Sequence, residues 1–160
     1  MAPAKHTDDP AFARNRKALH NYEILETHEA GIELKGTEIK SIRKHQASLD
    51  GSFARIEEGE VFLYNMHISP YEQGGRYNVD PIRTRKLLLH RREIERLRGV
   101  MTQKRLTLVP LKLYERRGMA KIELALGRGR REYEKRDRIR KEESDRDLRQ
   151  MVRQRQREHE

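Results

Sequence analysis

The stretch Leu106-Thr107-Leu108-Val109-Pro110-Leu111-Lys112-Leu113-Tyr114, then Arg117-Gly118, then Ile122-Glu123-Leu124-Ala125-Leu126 decides the fold. Aliphatic residues recur with a two-residue period on both sides of a Gly-containing turn, and the alternation is clearest in the second run. That pattern predicts two strands joined as a hairpin, each with one face inward. Working upstream, Phe53-Ala54-Arg55-Ile56 and Val61-Phe62-Leu63-Tyr64 flank Glu58-Gly59 and predict a second hairpin. Ile24-Leu25 and Ile32-Leu34 around Ala30-Gly31 predict a third.

Helical spacing is rarer. Ile39 and Ile42 after Thr37 predict one short amphipathic helix, with Lys40, Arg43 and Lys44 towards its C-terminus, where cations suit the helix dipole. Leu87, Leu88, Ile94 and Leu97, wrapped in Arg and followed by Gly99, predict a second, which places Leu88 in the core. Ser69 to Pro81 reads as a loop. Short strands with turns every several residues and two inserted helices favour a mainly β chain, a small antiparallel OB-like barrel.

Both ends differ from this middle. Residues 1–13 carry two prolines and no apolar period, which predicts a disordered N-terminal end. The barrel is expected over 14–127. Residues 128–160 form a basic tail whose few large apolar side chains include Ile139, Leu148, Met151 and Val152, too few to bury a stable face. Leu148, Met151 and Val152 at i, i+3, i+4 predict a helix once a partner supplies the other wall, and disorder until then.

The 160 residues are 34% hydrophobic and 39% charged, enough for one modest core. The net charge of +10, from 36 Lys and Arg against 26 Asp and Glu, calls for a polyanionic partner, because each phosphate contact releases condensed counterions. No run approaches the roughly 20 apolar residues of a membrane span, and no secretory leader opens the chain, so a cytoplasmic protein with no membrane partner is expected. Without cysteine there is no disulfide, thiolate nucleophile or cysteine-ligated zinc.

Residue types suited to catalysis are present but not arranged for it. His20, His28, His45, His67 and His90 stand apart from one another, with no HExxH or comparable metal spacing. No serine sits in a Gly-x-Ser-x-Gly context, and no Gly-rich loop ends in Gly-Lys-Ser or Gly-Lys-Thr. The expectation is no catalytic residue, no metal and no cofactor. A nuclease would need an acid-base pair or metal set that the spacing lacks.

Binding chemistry is better represented. Arg83, Arg85 and Lys86 face the leucines 87–89, so one side can anchor while the other offers donors to phosphates; a solvated helix entry is the plainer alternative. Arg128, Arg130 and Arg131, with glycines between, supply guanidinium forks where the backbone can approach closely. Glu29 is acceptor-only and suits base amino groups or a 2′-hydroxyl, or serves as a surface-turn carboxylate. A structural or assembly-associated ribosomal RNA-binding protein would fit the same composition.

Several longer segments are specific. Asn15-Arg16-Lys17-Ala18 with His20 and Tyr22, the run Glu29 to Arg43, Asp80-Pro81 with Arg83 to Leu89, and Gly127 to Arg136 resemble, in order and spacing, the SsrA-binding protein (small protein B) family. The resemblance covers about Asn15 to the C-terminus. It implies a bacterial protein, monomeric when RNA-bound, that holds the tRNA-like domain of tmRNA and delivers it to stalled ribosomes for trans-translation. By position it implies that Asn15, Glu29, Leu88 and Lys121 contact the RNA. It also implies that the tail becomes helical in the empty mRNA channel, near the 16S rRNA of the decoding centre, through Tyr133, Glu134, Lys135 and Arg136 and then Met151, Val152 and Arg153. Some members carry His where this chain has Tyr133, so imidazole protonation plays no part here, although a ring remains for stacking.

Overall fold

The computed structural model describes residues 10–158, apart from the side chains of Glu132, Tyr133 and Glu158. Two hairpins form where alternation predicts them. Strands β4 (Phe53–Glu57) and β5 (Glu60–Tyr64) are joined through Glu58 and Gly59 at φ 51° and 76°; β8 (Thr107–Arg116) and β9 (Met119–Gly129) are joined through Arg117 and Gly118 at φ 52° and 75°. Two consecutive positive φ values define the turn whose twist matches its flanking strands, and Gly at its second position meets that demand.

The remaining strands close a barrel around these hairpins. Strand β2 (Tyr22–Ile32) pairs with β9 on one side and with β7 (Arg85–Leu88) on the other, β7 continues to β5, and β4 returns to β8. Every pairing is antiparallel, and the β8–β9 pairing closes the ring. The small antiparallel OB-like barrel read from the sequence is therefore the architecture of residues 10–129. A separate two-stranded pair, β3 (Ala47–Ser48) with β6 (His67–Ile68), lies outside the ring. Val61, Leu63, Leu87, Leu97, Leu108, Leu113, Ile122, Leu124 and Leu126 fill the interior at 1% exposure or less. Burial of each such side chain contributes roughly 1.5–3 kcal/mol.

Three expectations are corrected. Ala30-Gly31 is no turn, because β2 runs straight through it: a partner lies on each side, and the Gly marks a close approach rather than a reversal. Leu87 and Leu88 belong to a strand, not a helix. The helix that follows, α3 (Arg91–Lys104), passes through Gly99 and ends at Arg105 in the left-handed region. Residues 11–13 of the expected disordered end lie in strand β1 (Ala11–Arg14), which takes up the edge of β8 beyond its pairing with β4; residues 1–9 lie outside the described residues. The tail carries one helix, α4 (Glu132–Glu158), the secondary structure that the spacing of Leu148, Met151 and Val152 predicts. It contains no Gly or Pro, is rich in Arg and Glu, and carries an Arg138–Glu142 pair at 3.0 Å, features that favour a helix locally.

Among the described residues, 10–129 and 130–158 form separate compact units. The boundary falls two residues beyond the expected end of the barrel, because β9 continues to Gly129, opposite Tyr22.

Candidate nucleic-acid interface

One transverse row of the barrel organises the site. Leu88 on β7 stands opposite Gly31 on β2, Gly31 opposite Lys121 on β9, and Lys121 opposite Tyr114 on β8. Directly paired residues project to the same face, and this is the outer one: Leu87 is 1% exposed while Leu88 is 50% exposed. Core placement of Leu88 is thereby corrected, since a strand sends adjacent residues to opposite sides where a helix would have kept both inward. At the centre of the row Gly31 is buried beneath the Leu88 side chain: a Cβ there would lie 3.2 Å from the Leu88 Cβ and 3.5 Å from its Cδ1.

Gly31 and Leu88 both line a cleft of about 300 Å³. Leu88, Lys121 and Met119 line one side; Ile39 and Arg43, from helix α2 (Gly36–Arg43), line another. Apolar walls with two cations, Arg43 and Lys121, and one carboxylate, Glu115, at the rim suit a ligand that is flat and apolar in part and carries both anionic and hydrogen-bond donor groups.

Glu29 sits two residues before Gly31 on the same face, opposite Glu123. It accepts hydrogen bonds from the Tyr114 hydroxyl and from Arg116 Nη1 at 3.0 Å. Partial burial opposes its charge, but those bonds and the charges of Arg116 and Lys121 outweigh that and hold its carboxyl below the usual range. Burial and the bond to Glu29 push the Tyr114 phenol up. The reading of Glu29 as a turn residue is corrected: it is a mid-strand carboxylate with its own partners.

Asn15 is placed differently from the rest of its set. It is 4% exposed, its Oδ1 accepts from the Ala18 N–H at 3.2 Å, and its Nδ2 donates to the Pro110 carbonyl at 2.9 Å. It caps helix α1 (Arg16–Asn21) and ties it to β8 at a bulge near Leu111. Its polar atoms are thus engaged within the fold, while the residue also lines a cleft with Lys17, Tyr22, Phe53 and Arg55.

The basic run before the leucines is also largely committed within the fold. Arg85 is fully buried, its Nε donating to Glu38 Oε2 at 2.6 Å, Nη1 to the Met66 carbonyl at 2.6 Å and Nη2 to the Pro81 carbonyl at 3.1 Å. Arg83 donates through Nε to Glu38 Oε1 at 3.1 Å, and Lys86 pairs with Glu60 at 2.8 Å. Phosphate contact by Arg85 is corrected to an internal brace, whereas Arg83 and Lys86 keep 25% and 35% of their side chains exposed. Glu38, the hub of this brace, is absent from the sequence-based set. Its signal was faint: a Glu three residues after Lys35, whose N–H it accepts at 2.9 Å.

In the tail, Arg128 ends the barrel sheet 4.0 Å from Glu23, and the Arg131 N–H approaches Glu134 at 3.4 Å. Glu134, Lys135, Arg136, Met151, Val152 and Arg153 all fall on α4. Met151 and Val152 are 55% exposed and Leu148 is 59% exposed, a short apolar stripe on a charged helix. The Tyr133 side chain lies outside the described residues. Among the described residues no His, Asp or Glu cluster is placed to hold a metal ion, and no helix is long and apolar enough to cross a membrane.

Comparison with known proteins converges on one family. Residues 12–154 match the family model described as SmpB protein. The SsrA-binding protein of Geobacillus thermodenitrificans (strain NG80-2) is 57% identical over 145 residues, covering 91% of this chain and 94% of the relative. That of Bacillus subtilis (strain 168) is 56% identical over 137 residues, covering 86% and 88%. A solved chain described as "tmRNA-SmpB: a journey to the center of the bacterial ribosome" superposes with a TM-score of 0.62 at 58% identity, covering 74% of this chain and 84% of that one. With a family model spanning the barrel and most of the tail, and relatives this similar over nearly the whole length, the chain belongs to the SmpB family of SsrA-binding proteins.

Proposed function

We propose that this protein binds tmRNA, the SsrA RNA, and delivers it to stalled ribosomes for trans-translation, its tail occupying the empty mRNA channel. The observation that carries the reading is the row Leu88–Gly31–Lys121: an exposed leucine, packed closely over Gly31, and a lysine line a cleft on the outer face of the barrel. RNA that is not a regular duplex offers unstacked bases to an apolar wall and phosphates to cations. Glu29, two residues along, is charged and accessible enough to accept from a base amino group or a 2′-hydroxyl. Arg83 and Lys86 supply further phosphate contacts, while Asn15 and Arg85 act through the surfaces they position. The family to which the chain belongs, its relatives' name and the ribosomal setting of the superposed chain all agree with this reading.

The division of labour follows the chain. Residues 14–127, extended by the last turn of β9, hold the tRNA-like domain. Residues 128–160 carry the ribosome-binding tail, with Arg128, Arg130 and Arg131 at its root, Tyr133 to Arg136 next, and Met151 to Arg153 near its end. The role is that of an adaptor working in the cytoplasm, where ribosomes are, and not that of an enzyme.

Truncation after Gly129 tests the reading. The truncated protein is expected to bind tmRNA with nearly unchanged affinity and to support no tagging of stalled products in a reconstituted translation reaction. Normal tagging by the truncated protein overturns the tail's role; no tmRNA binding by the full chain overturns the barrel's.

A further inference from the structure

Helix α2 is a wall between two different surfaces. Ile39, Ile42 and Arg43 line the cleft described above, whereas Thr37 and Lys40 line a second one, and Lys44 leans over its edge. At 3.6 residues per turn the centres of these two sets lie roughly 140° apart around the helix, so a ligand in one does not reach the other.

The far side of the second cleft is the loop between β6 and β7, and it is built rather than slack. The Asn78 side chain clasps Tyr71 from both ends, Oδ1 accepting from the Tyr71 N–H at 3.0 Å and Nδ2 donating to the Tyr71 carbonyl at 2.9 Å. Gly74 is packed so closely that a Cβ would fall 2.6 Å from Asn78 Oδ1 and 3.0 Å from Thr37 Cγ2. The loop is thus held against α2.

Its surface combines rings and cations. Lys40 and Lys44 place their Nζ atoms 5.3 and 5.0 Å from the centre of the Tyr71 ring, and the Arg76 guanidinium lies 5.1 Å from the Tyr77 ring. Tyr77 is 69% exposed. Lys40, Lys44 and Arg76 have no ion pair among the described residues; the loop's own acids are Glu72 and Asp80, the latter accepting from the Ile82 N–H, while Glu38 of the same helix is buried and engaged by Arg83 and Arg85. Two lysines gathered on one ring repel each other unless an anion lies between or beside them.

We propose that this cleft is a second RNA site, in which Lys40, Lys44 and Arg76 hold a phosphodiester backbone while Tyr77 stacks on an unpaired base. Cations along a groove with an exposed ring beside them are how single strands are gripped without sequence preference. An acidic protein segment would satisfy the cations but leave the ring without a stacking partner, so RNA is the better fit. The proposal rests on the RNA-binding reading above and adds a second strand that the same molecule holds at the same time.

The test uses the full chain and two probes: the isolated tRNA-like domain of tmRNA, and a fluorescent single-stranded adenylate hexamer. Tyr77→Ala and the double variant Lys40→Ala/Lys44→Ala are expected to weaken hexamer binding about ten-fold at fixed salt, with unchanged affinity for the tRNA-like domain. Tyr77→Phe, which keeps the ring, is expected to retain hexamer binding. Lys121→Ala should show the opposite pattern, and saturating tRNA-like domain should leave wild-type hexamer binding in place. Hexamer binding unaffected by the α2 and Tyr77 variants, or displaced by the tRNA-like domain, overturns the second site. So does a decaglutamate peptide that binds there more tightly than the hexamer. Failure of the wild-type chain to bind the tRNA-like domain overturns instead the reading on which the proposal rests. Should Tyr77→Ala prove unfolded by its thermal melt, Arg76→Ala with the same expected loss decides the matter.

Discussion

Arg85 and Glu38 form a buried ion pair, with Nε 2.6 Å from Oε2 and neither side chain more than 3% exposed. The pair joins β7 to α2 and, through Arg83 on the other carboxylate oxygen, fixes the segment that leads into Leu88. Removing one partner leaves a guanidinium uncompensated in the interior. Glu38→Gln should therefore destabilise the protein by about 3–5 kcal/mol in urea unfolding and weaken RNA binding by the still-folded fraction, since the pair positions the segment that carries Arg83, Lys86 and Leu88. An unaltered unfolding midpoint would contradict this.

The same carboxylate makes stability depend on pH. Burial opposes its charge, but hydrogen bonds from Arg83, the Lys35 N–H and Arg85 prevail and hold its pKa below the ordinary value. A carboxyl depressed in the folded state contributes stability that is complete above its unfolded pKa, roughly 4.3, and is lost as pH falls through the folded value. Glu29 acts in the same direction. Urea midpoints measured from pH 7 down to pH 3 should drop through the acid range, and Glu38→Gln should flatten the drop.

Leu87 and Leu88 are neighbours in sequence with opposite roles. Leu87→Ala empties a core position and should cost about 2–5 kcal/mol, with little effect on RNA binding once folded. Leu88 is half exposed, so Leu88→Ala should cost under about 1.5 kcal/mol yet weaken binding of the tRNA-like RNA. Paired thermal melts and binding isotherms separate the two; equal effects of both on stability would contradict the strand assignment.

Lys121→Ala should reduce affinity for the tRNA-like domain and lower the steepness of its salt dependence by roughly one phosphate contact. Glu29→Gln keeps the shape beside Tyr114 while removing the charge, and should weaken binding without unfolding the barrel. Titrations at several salt concentrations check both; parallel salt plots for wild type and Lys121→Ala would remove Lys121 from the interface.

Ser144 lies in the middle of α4. Proline there deletes a helical hydrogen bond and costs about 3 kcal/mol. Ser144→Pro is expected to lower far-ultraviolet helicity and abolish tagging in reconstituted translation while tmRNA binding persists. Full tagging by this variant would show that a continuous helix is not needed.

The legible parts of this protein were those whose cause is local. Period-two alternation and Gly at the second turn position specify the β4–β5 and β8–β9 hairpins before any tertiary contact exists. Gly31, Leu88 and Arg85 were misread because their causes are not local. A Gly that permits two strands to close on either side looks, in one dimension, like a Gly that permits a turn. Adjacent leucines read as a core run until pairing partners assign them to opposite faces.

From its sequence alone this chain is a basic, small-cored β protein of a recognisable family, because charge, composition, hairpin periodicity and long ordered motifs are properties of the chain itself. Only the tertiary structure separated the residues that meet solvent from those that hold the frame. Leu88 and Lys121, far apart in sequence, flank Gly31 from the two neighbouring strands, while Arg85 is drawn inside by Glu38. Both outcomes depend on register and closure of the barrel, which bring distant segments together and which no local pattern encodes.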